Sequence, residues 1–224
     1  MSNFTDFTGG GAAKYQFQLF TSSGTFTLPA KLVGDTVRVT AIGGGGSGCL
    51  GGTTGTSWGG NSGAYAQQMA VSIAANQTVT IGAGGLSPAT GGNANGLSGG
   101  NTVFGSLTFV GGGGGSSGPL NPNNTGGAVG GAYNSANAGY AADSPLGPFG
   151  GNGGHMTHAL GGPGAGGLIL DSTGIKGGDN THSSNYRHYG GRGYGAGGAA
   201  YASTNLPSGA GAQGAVLVEW MEEV

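Results

Sequence analysis

Residues 35–46 read DTVRVTAIGGGG, and this stretch sets the pattern for the chain. Val37, Val39 and Ala41 alternate with Thr36, Arg38 and Thr40, the period of a half-buried strand, and the alternation runs straight into glycine at 43–46. The same splice recurs at 77–85 (QTVTIGAGG) and 107–115 (LTFVGGGGG), and it is reversed at 209–220 (GAGAQGAVLVEW). Other stretches alternate too. At 14–20, Tyr15, Phe17 and Leu19 oppose Lys14, Gln16 and Gln18, which predicts a half-buried strand; 24–28 (GTFTL) predicts a second, stopped by Pro29. At 63–73 the pattern places Tyr65, Gln67, Met69, Val71 and Ile73 on one side, and 74–76 turns the chain into 77–81. Strands at 102–104 and 107–110 flank Gly105-Ser106, a pair suited to a type II′ hairpin, and Val216, Val218 and Trp220 close the frame. No stretch repeats apolar residues at i, i+3, i+4 and i+7 long enough for an ordinary helix.

Beyond residue 111 the character changes. Glycine clusters at 111–115, 126–131, 150–154, 161–167, 190–198 and 209–214 alternate with segments rich in Asn, Ser, Tyr, His and Pro. Glycine makes up 58 of the 224 residues, against about 7% in average usage. Disordered chains usually stay solvated through high charge, yet only 6% of this chain is charged, so a folded chain is expected. Collagen is excluded, because the glycines cluster instead of recurring strictly every third residue. A three-residues-per-turn helix has no internal hydrogen bonds, so buried copies must satisfy one another; with glycine on the contact faces they can approach closely enough to do so. The expected fold is all-β and irregular: a small β-sandwich frame continued by a bundle of polyglycine-II helices with long loops, essentially without α-helix. An arm at 1–13 precedes one glycine-rich domain at 14–224. Its frame comes from 14–46, 63–110 and 215–220, and its polyglycine-II region mainly from 111–214.

Charge and motifs narrow the function. Three Lys, three Arg and a net charge of −2 cannot assemble the basic patch that nucleic-acid binding needs. The lone Cys49 permits no disulfide within the chain, the N-terminus does not read as a signal peptide, and no apolar run is long enough to span a membrane. Residues 55–59 and 114–118 match G-x-S-x-G, but no helix pattern follows either to make a nucleophile elbow. Gly43, Gly45 and Gly48 fit G-x-G-x-x-G, again without the helix that would bind an anion. His155-x-x-His158 supplies two metal ligands at most, short of a zinc site. Neither an enzyme, a cofactor nor a metal is expected. Asp143, Asp171 and Asp179 are the only acids between Asp35 and Glu219, too few for a convincing glycosidase.

The ordered set GTFTLPAK, DTVRVTAIGGGGSG, GAYAQQMAVSIAANQTVTIGAGG, NTVFGSLTFVGGGGG and GAQGAVLVEW resembles the glycine-rich domain of bacteriophage tail fibres. The later clusters are similar to tail-fibre tip adhesins of T-even-like phages, in which polyglycine-II helices form a layered sandwich. The resemblance implies a virion protein at the distal end of a tail fibre, made in the host cytoplasm. It would join an upstream tail-fibre protein, as a homotrimer or as a monomer capping a trimeric fibre, and bind a receptor on the bacterial surface, an outer-membrane protein or a glycan, without catalysis. Those adhesins carry a separate N-terminal attachment domain, whereas only about 30 residues precede the frame in this sequence, and Phe4 and Phe7 in the arm are the expected fibre attachment. Alternating passes would put 47–62, 86–99, 116–125, 155–160 and 199–208 at the far end, with 132–149 and 168–189 at the base or side. Receptor-binding candidates on that end are Trp58, Leu120, Asn123, His155, Met156, His158 and Tyr201. The aromatic and His side chains of the remaining loops, Tyr133, Tyr140, Phe149, Tyr186, His188 and Tyr189, form a second group, since rigid amphipathic rings among Asn, Ser and Gly suit recognition surfaces. Rivals are a fibre or baseplate joint that touches no host, and an ice-binding polyglycine-II protein, which would want a flat repeated face.

Overall fold

The computed structural model describes residues 12–50, 56–89, 94–118, 155–157, 168–171, 174–177, 193–200 and 207–224. Its strands are β1 (Ala13–Phe20), β2 (Gly24–Phe26), β3 (Thr36–Ile42), β4 (Thr56–Trp58), β5 (Tyr65–Ser72), β6 (Gln77–Thr80), β7 (Thr102–Phe104), β8 (Leu107–Phe109), β9 (Ser117–Gly118), β10 (His155–Thr157), β11 (Leu168–Asp171), β12 (Gly174–Gly177) and β13 (Ala215–Glu223). Among the described residues there is no helix, and the fold is all-β.

Two antiparallel four-stranded sheets, ordered β1-β13-β3-β5 and β2-β6-β7-β8, make the frame. Val37, Val39 and Ala41 of β3 and Val216 and Val218 of β13 pack against Phe26, Val79, Phe104 and Phe109 of the other sheet. Phe26 anchors this core, with its ring 5.9 Å from that of Phe104 and edge-on to Trp220 at 5.3 Å, an arrangement that adds to plain area burial. Gly105 turns the β7–β8 hairpin at φ 57° while Ser106 keeps negative φ, as a type II′ turn requires.

Two expected faces differ. In β5 the register slips opposite Val39/Ala41, Gln68 takes φ 49°, and its N–H donates to Thr40 Oγ1 at 3.0 Å. This bulge reverses the alternation, so Ala66 joins Met69 and Val71 on the core side while Gln67 is exposed. In β1 the apolar row lies outside: Tyr15, Phe17 and Leu19 are 54%, 66% and 39% exposed, and only Phe20 is buried. The strand is an edge of its sheet and has no second layer over that face among the described residues.

At Gly43 the backbone leaves the sheet, and each N–H turns to a different neighbour. Gly43 donates to Ala64 at 2.9 Å, Gly44 to Gly100 at 3.0 Å and Gly45 to Ala212 at 2.8 Å; the cycle then restarts with Gly46 on Asn61, Ser47 on Leu97 and Gly48 on Gly209. The same partner segment returns every third residue. The carbonyls of Gly44, Gly45, Gly46 and Ser47 accept from Gly112, Gly85, Gly198 and Gly115. Segment 43–50 is thereby enclosed by six others: 59–64, 82–85, 94–100, 110–115, 195–200 and 207–214. These join one another as well, through Gly100 to Ala83, Gly96 to Gly115, Asn61 to Gly113, Gly60 to Gly198, Gly209 to Ala199 and Gly211 to Gly85. The array thus begins well before residue 111.

Bare backbone is the condition for this packing. A Cβ on Gly45 would land on the carbonyl of Ala196, and one on Gly46 on the carbonyl of Gly113, both far inside contact distance. Every residue of 41–50 is buried. Where a backbone partner is missing, a small side chain substitutes: Ser47 Oγ accepts from Leu97 N at 2.8 Å, Thr102 Oγ1 from Gly82 N at 3.1 Å, and Ser208 Oγ donates to Gly48 O at 2.7 Å. Buried polar groups need such partners, since a lost one costs about 1–3 kcal/mol.

Candidate functional site

The hydrogen-bond registers fix the direction of each pass. Pairs Gly43–Ala64 and Gly46–Asn61 run antiparallel, as do Gly44–Gly100 with Ser47–Leu97 and Gly45–Ala212 with Gly48–Gly209; pairs Gly44–Gly112 and Ser47–Gly115 run parallel. Segment 43–50 continues β3 away from the frame, so 59–64 returns to β5, 82–89 leaves β6, 94–101 returns to β7, 110–116 leaves β8 and 207–214 returns to β13. Leu50, Ala89, Ala94, Ser116, Ala200 and Pro207 therefore stand toward the end opposite the frame. There Leu50 and Ala94 bridge, and Leu50 and Cys49 are fully buried.

A second small sheet lies at that end. β4 enters the 59–64 pass, β9 follows the 110–116 pass, and β10 pairs with β4 to give the order β10-β4-β9. His155 is the Cα partner of Trp58, Met156 of Ser57 and Thr157 of Thr56; Thr56 in turn faces Gly118, and Ser57 faces Ser117. Three stretches up to about a hundred positions apart in sequence are stitched together at one place. Of the candidates, Trp58, His155 and Met156 are brought into this sheet. Leu120, Asn123, His158 and Tyr201 lie outside the described residues, as do Tyr133, Tyr140, Phe149, Tyr186, His188, Tyr189, Phe4 and Phe7. Strands β11 and β12 form their own antiparallel pair.

The sequence reading missed Thr56, Ser57, Ser117 and Thr157 as members of a common sheet, because strands of two or three residues are too short to show a period of two. It also passed over Leu86 and Leu97, 71% and 52% exposed. They belong to adjacent passes near the far end: every third residue of the first, Ala83, Leu86 and Ala89, faces out, and the second has an outward row of Asn95, Ser98 and Asn101 beside which Leu97 and Gly100 are exposed as well. A groove of about 470 Å³ follows the second row and is lined by Asn95, Ser98, Asn101, Val110 and Ser116 with glycine backbone between them.

Ser57 lies in β4 and leads into the 59–64 pass, and Ser116 immediately precedes β9, so neither sits on a strand-to-helix elbow. Among the described residues no three His, Cys, Asp or Glu side chains gather to hold a metal, and no helix is long and apolar enough to cross a membrane. Among the described residues, one acid–base group is clearly perturbed, and it lies on the frame. Tyr15 donates its hydroxyl to Glu219 Oε1, and its pKa is pushed up to about 12 by partial burial of the hydroxyl and then by the Glu219 carboxylate, which disfavours the phenolate.

The fold defines an all-β, glycine-rich class in which a small sandwich carries an array of backbone-bonded passes. The chain belongs to the glycine-rich domain family, whose pattern matches residues 21–221. No curated protein matches the chain.

Proposed function

We propose that this protein is the tip adhesin of a bacteriophage tail fibre, binding a receptor on the bacterial surface through the end of the array that carries β4, β9 and β10. The observation that carries the reading is the alternation of passes, which gathers otherwise distant connections at one end, opposite the frame. Binding residues concentrate on loops positioned by a rigid scaffold, and here the scaffold is independent of what its connections contain. The resemblance of the ordered motifs to tail-fibre glycine-rich domains points the same way. We further take the passes to be polyglycine-II helices. The return of each partner every third residue supports this, since such helices have three residues per turn and no internal bonds. Trp58, with His155 opposite and Met156 beside it, heads the receptor-binding set.

Purified protein should block adsorption of a phage carrying this chain to its host. Trp58→Ala and a replacement of 119–125 should each weaken that block by about tenfold or more, a loss of about 1.4 kcal/mol, with urea denaturation midpoints unchanged. Undiminished blocking by both variants would refute the assignment to this end. Protein that neither binds cells nor blocks adsorption would instead favour a joint within the fibre.

A further inference from the structure

The six passes around segment 43–50 form a ring, each bonded to the next. On the flank where 94–101 meets 110–116, the groove of about 470 Å³ runs along the outside of that ring. The two passes are antiparallel: Gly96 N donates to Gly115 O at 2.7 Å, and Gly99 N to Gly112 O at 2.9 Å. On the groove side Gly111 N donates to Asn101 Oδ1 at 3.0 Å. Partners return every third residue, so Ser98 stands to Gly114 as Asn101 stands to Gly111. Serine carries its oxygen one atom closer to the backbone than asparagine does, and the equivalent bond is not made. Among the described residues the Gly114 N–H has no acceptor, and the carbonyls of Gly96, Ser98, Gly99 and Gly114 have no donor.

These groups say what kind of ligand fits. Elsewhere in the array, backbone donors and acceptors at this spacing are matched by another extended pass lying alongside. A peptide with three residues per turn repeats about every 9.3 Å, the repeat of the groove walls themselves. The middle of the groove is least filled by side chains: Gly113 lies between Val110 and Ser116 on one wall, and Ser98 between the two asparagines on the other. No charged side chain lines it, so a charged ligand would lose hydration without a counter-charge. No aromatic ring lines it either, which leaves a sugar ring nothing to stack on. We propose that this groove binds an uncharged, glycine-rich segment of another polypeptide, extended with three residues per turn. A carbonyl of the segment accepts from Gly114 N–H, and its own N–H groups donate to carbonyls of 94–101. The site lies on the flank of the array and does not depend on host attachment.

The test uses the 15N-labelled full chain and the capped peptide acetyl-(Gly-Gly-Ala)4-amide. Without peptide, the Gly114 amide should exchange with solvent at least about a hundredfold faster than those of Gly112 and Gly115, which are bonded to the central segment. The peptide should shift the Ser98 and Gly114 resonances saturably, with a Kd of about 1 mM or below, and slow Gly114 exchange. A peptide of the same composition with its alanines adjacent breaks the three-residue repeat and should bind about tenfold more weakly or worse. Ser98→Asn supplies Gly114 with the cap that Asn101 gives Gly111. It should slow Gly114 exchange without peptide and weaken peptide binding by about tenfold or more, with no drop in the urea midpoint. A Gly114 amide already protected in the wild-type chain alone would overturn the proposal. So would a peptide that shifts neither resonance, or binding indifferent to Ser98→Asn or to the placing of the alanines. Maltohexaose moving those resonances where the peptide does not would overturn it in favour of a glycan.

Discussion

The frame and the glycine array fill their interiors in opposite ways. In the frame, Phe26, Phe104, Val37 and Val39 are buried to 1% exposure or less and meet side chain to side chain, so the backbones stay a sandwich's spacing apart. In the array, Gly43, Gly44, Gly45 and Gly46 are equally buried, but what touches them is the peptide backbone of other passes. The first interior draws on the hydrophobic effect, about 25 cal/mol per Å² of apolar area. The second removes little apolar surface and relies on hydrogen bonds worth about 0.5–1.5 kcal/mol each in net terms. It also orders glycine, the residue that loses most backbone entropy. An array of this kind holds only if many bonds form together.

This contrast can be broken or sharpened by substitution. The largest effect should come from Gly46→Ala: one methyl would fall on the Gly113 carbonyl, with no side chain available to move aside. A destabilisation above about 4 kcal/mol, or failure to fold, is expected, while Leu86→Ala on the rim should stay within about 0.5 kcal/mol. Denaturant melts of the pair would decide it, and a near-neutral Gly46→Ala would mean that the passes can part. Next comes Phe104→Ala in the frame. It removes a buried ring tilted against that of Phe26 and should cost about 3–5 kcal/mol, yet leave a folded molecule whose array persists.

The smallest effect concerns pH. Tyr15 ionises near its ordinary value of 10.0 when unfolded and near 12 when folded. Between these values the unfolded chain holds fewer protons than the folded one, so stability falls as pH rises through the window. More than half of the residue is exposed, and solvent screening keeps the effect modest. Tyr15→Phe should flatten the stability profile between pH 10 and 12; an unchanged profile would remove the Tyr15–Glu219 contact from the account.

Much of this was legible in residue order. The strands at 36–42, 65–72, 77–80, 102–104 and 107–109 follow alternation that any half-buried sheet imposes, and the all-β character follows from the want of helical periodicity. The passes on either side of the central segment were legible in direction too, since a strand that continues into glycine must come back. What alternation could not announce was the bulge at Gln68, which depends on the pairing with β3, or the outward turn of Tyr15, Phe17 and Leu19. An edge strand's apolar row reads the same whether or not another layer covers it.

The sequence by itself determined where the backbone would be bare and where it would carry side chains, because glycine content and period are local properties. Only the tertiary structure decided which bare segment sits at the centre and which six surround it, since the hydrogen bonds that choose among them join residues as distant as Gly45 and Ala212. The meeting of Trp58 with His155 belongs to the same category. Glycine specifies that a close neighbour is possible, and having no side chain it cannot specify which.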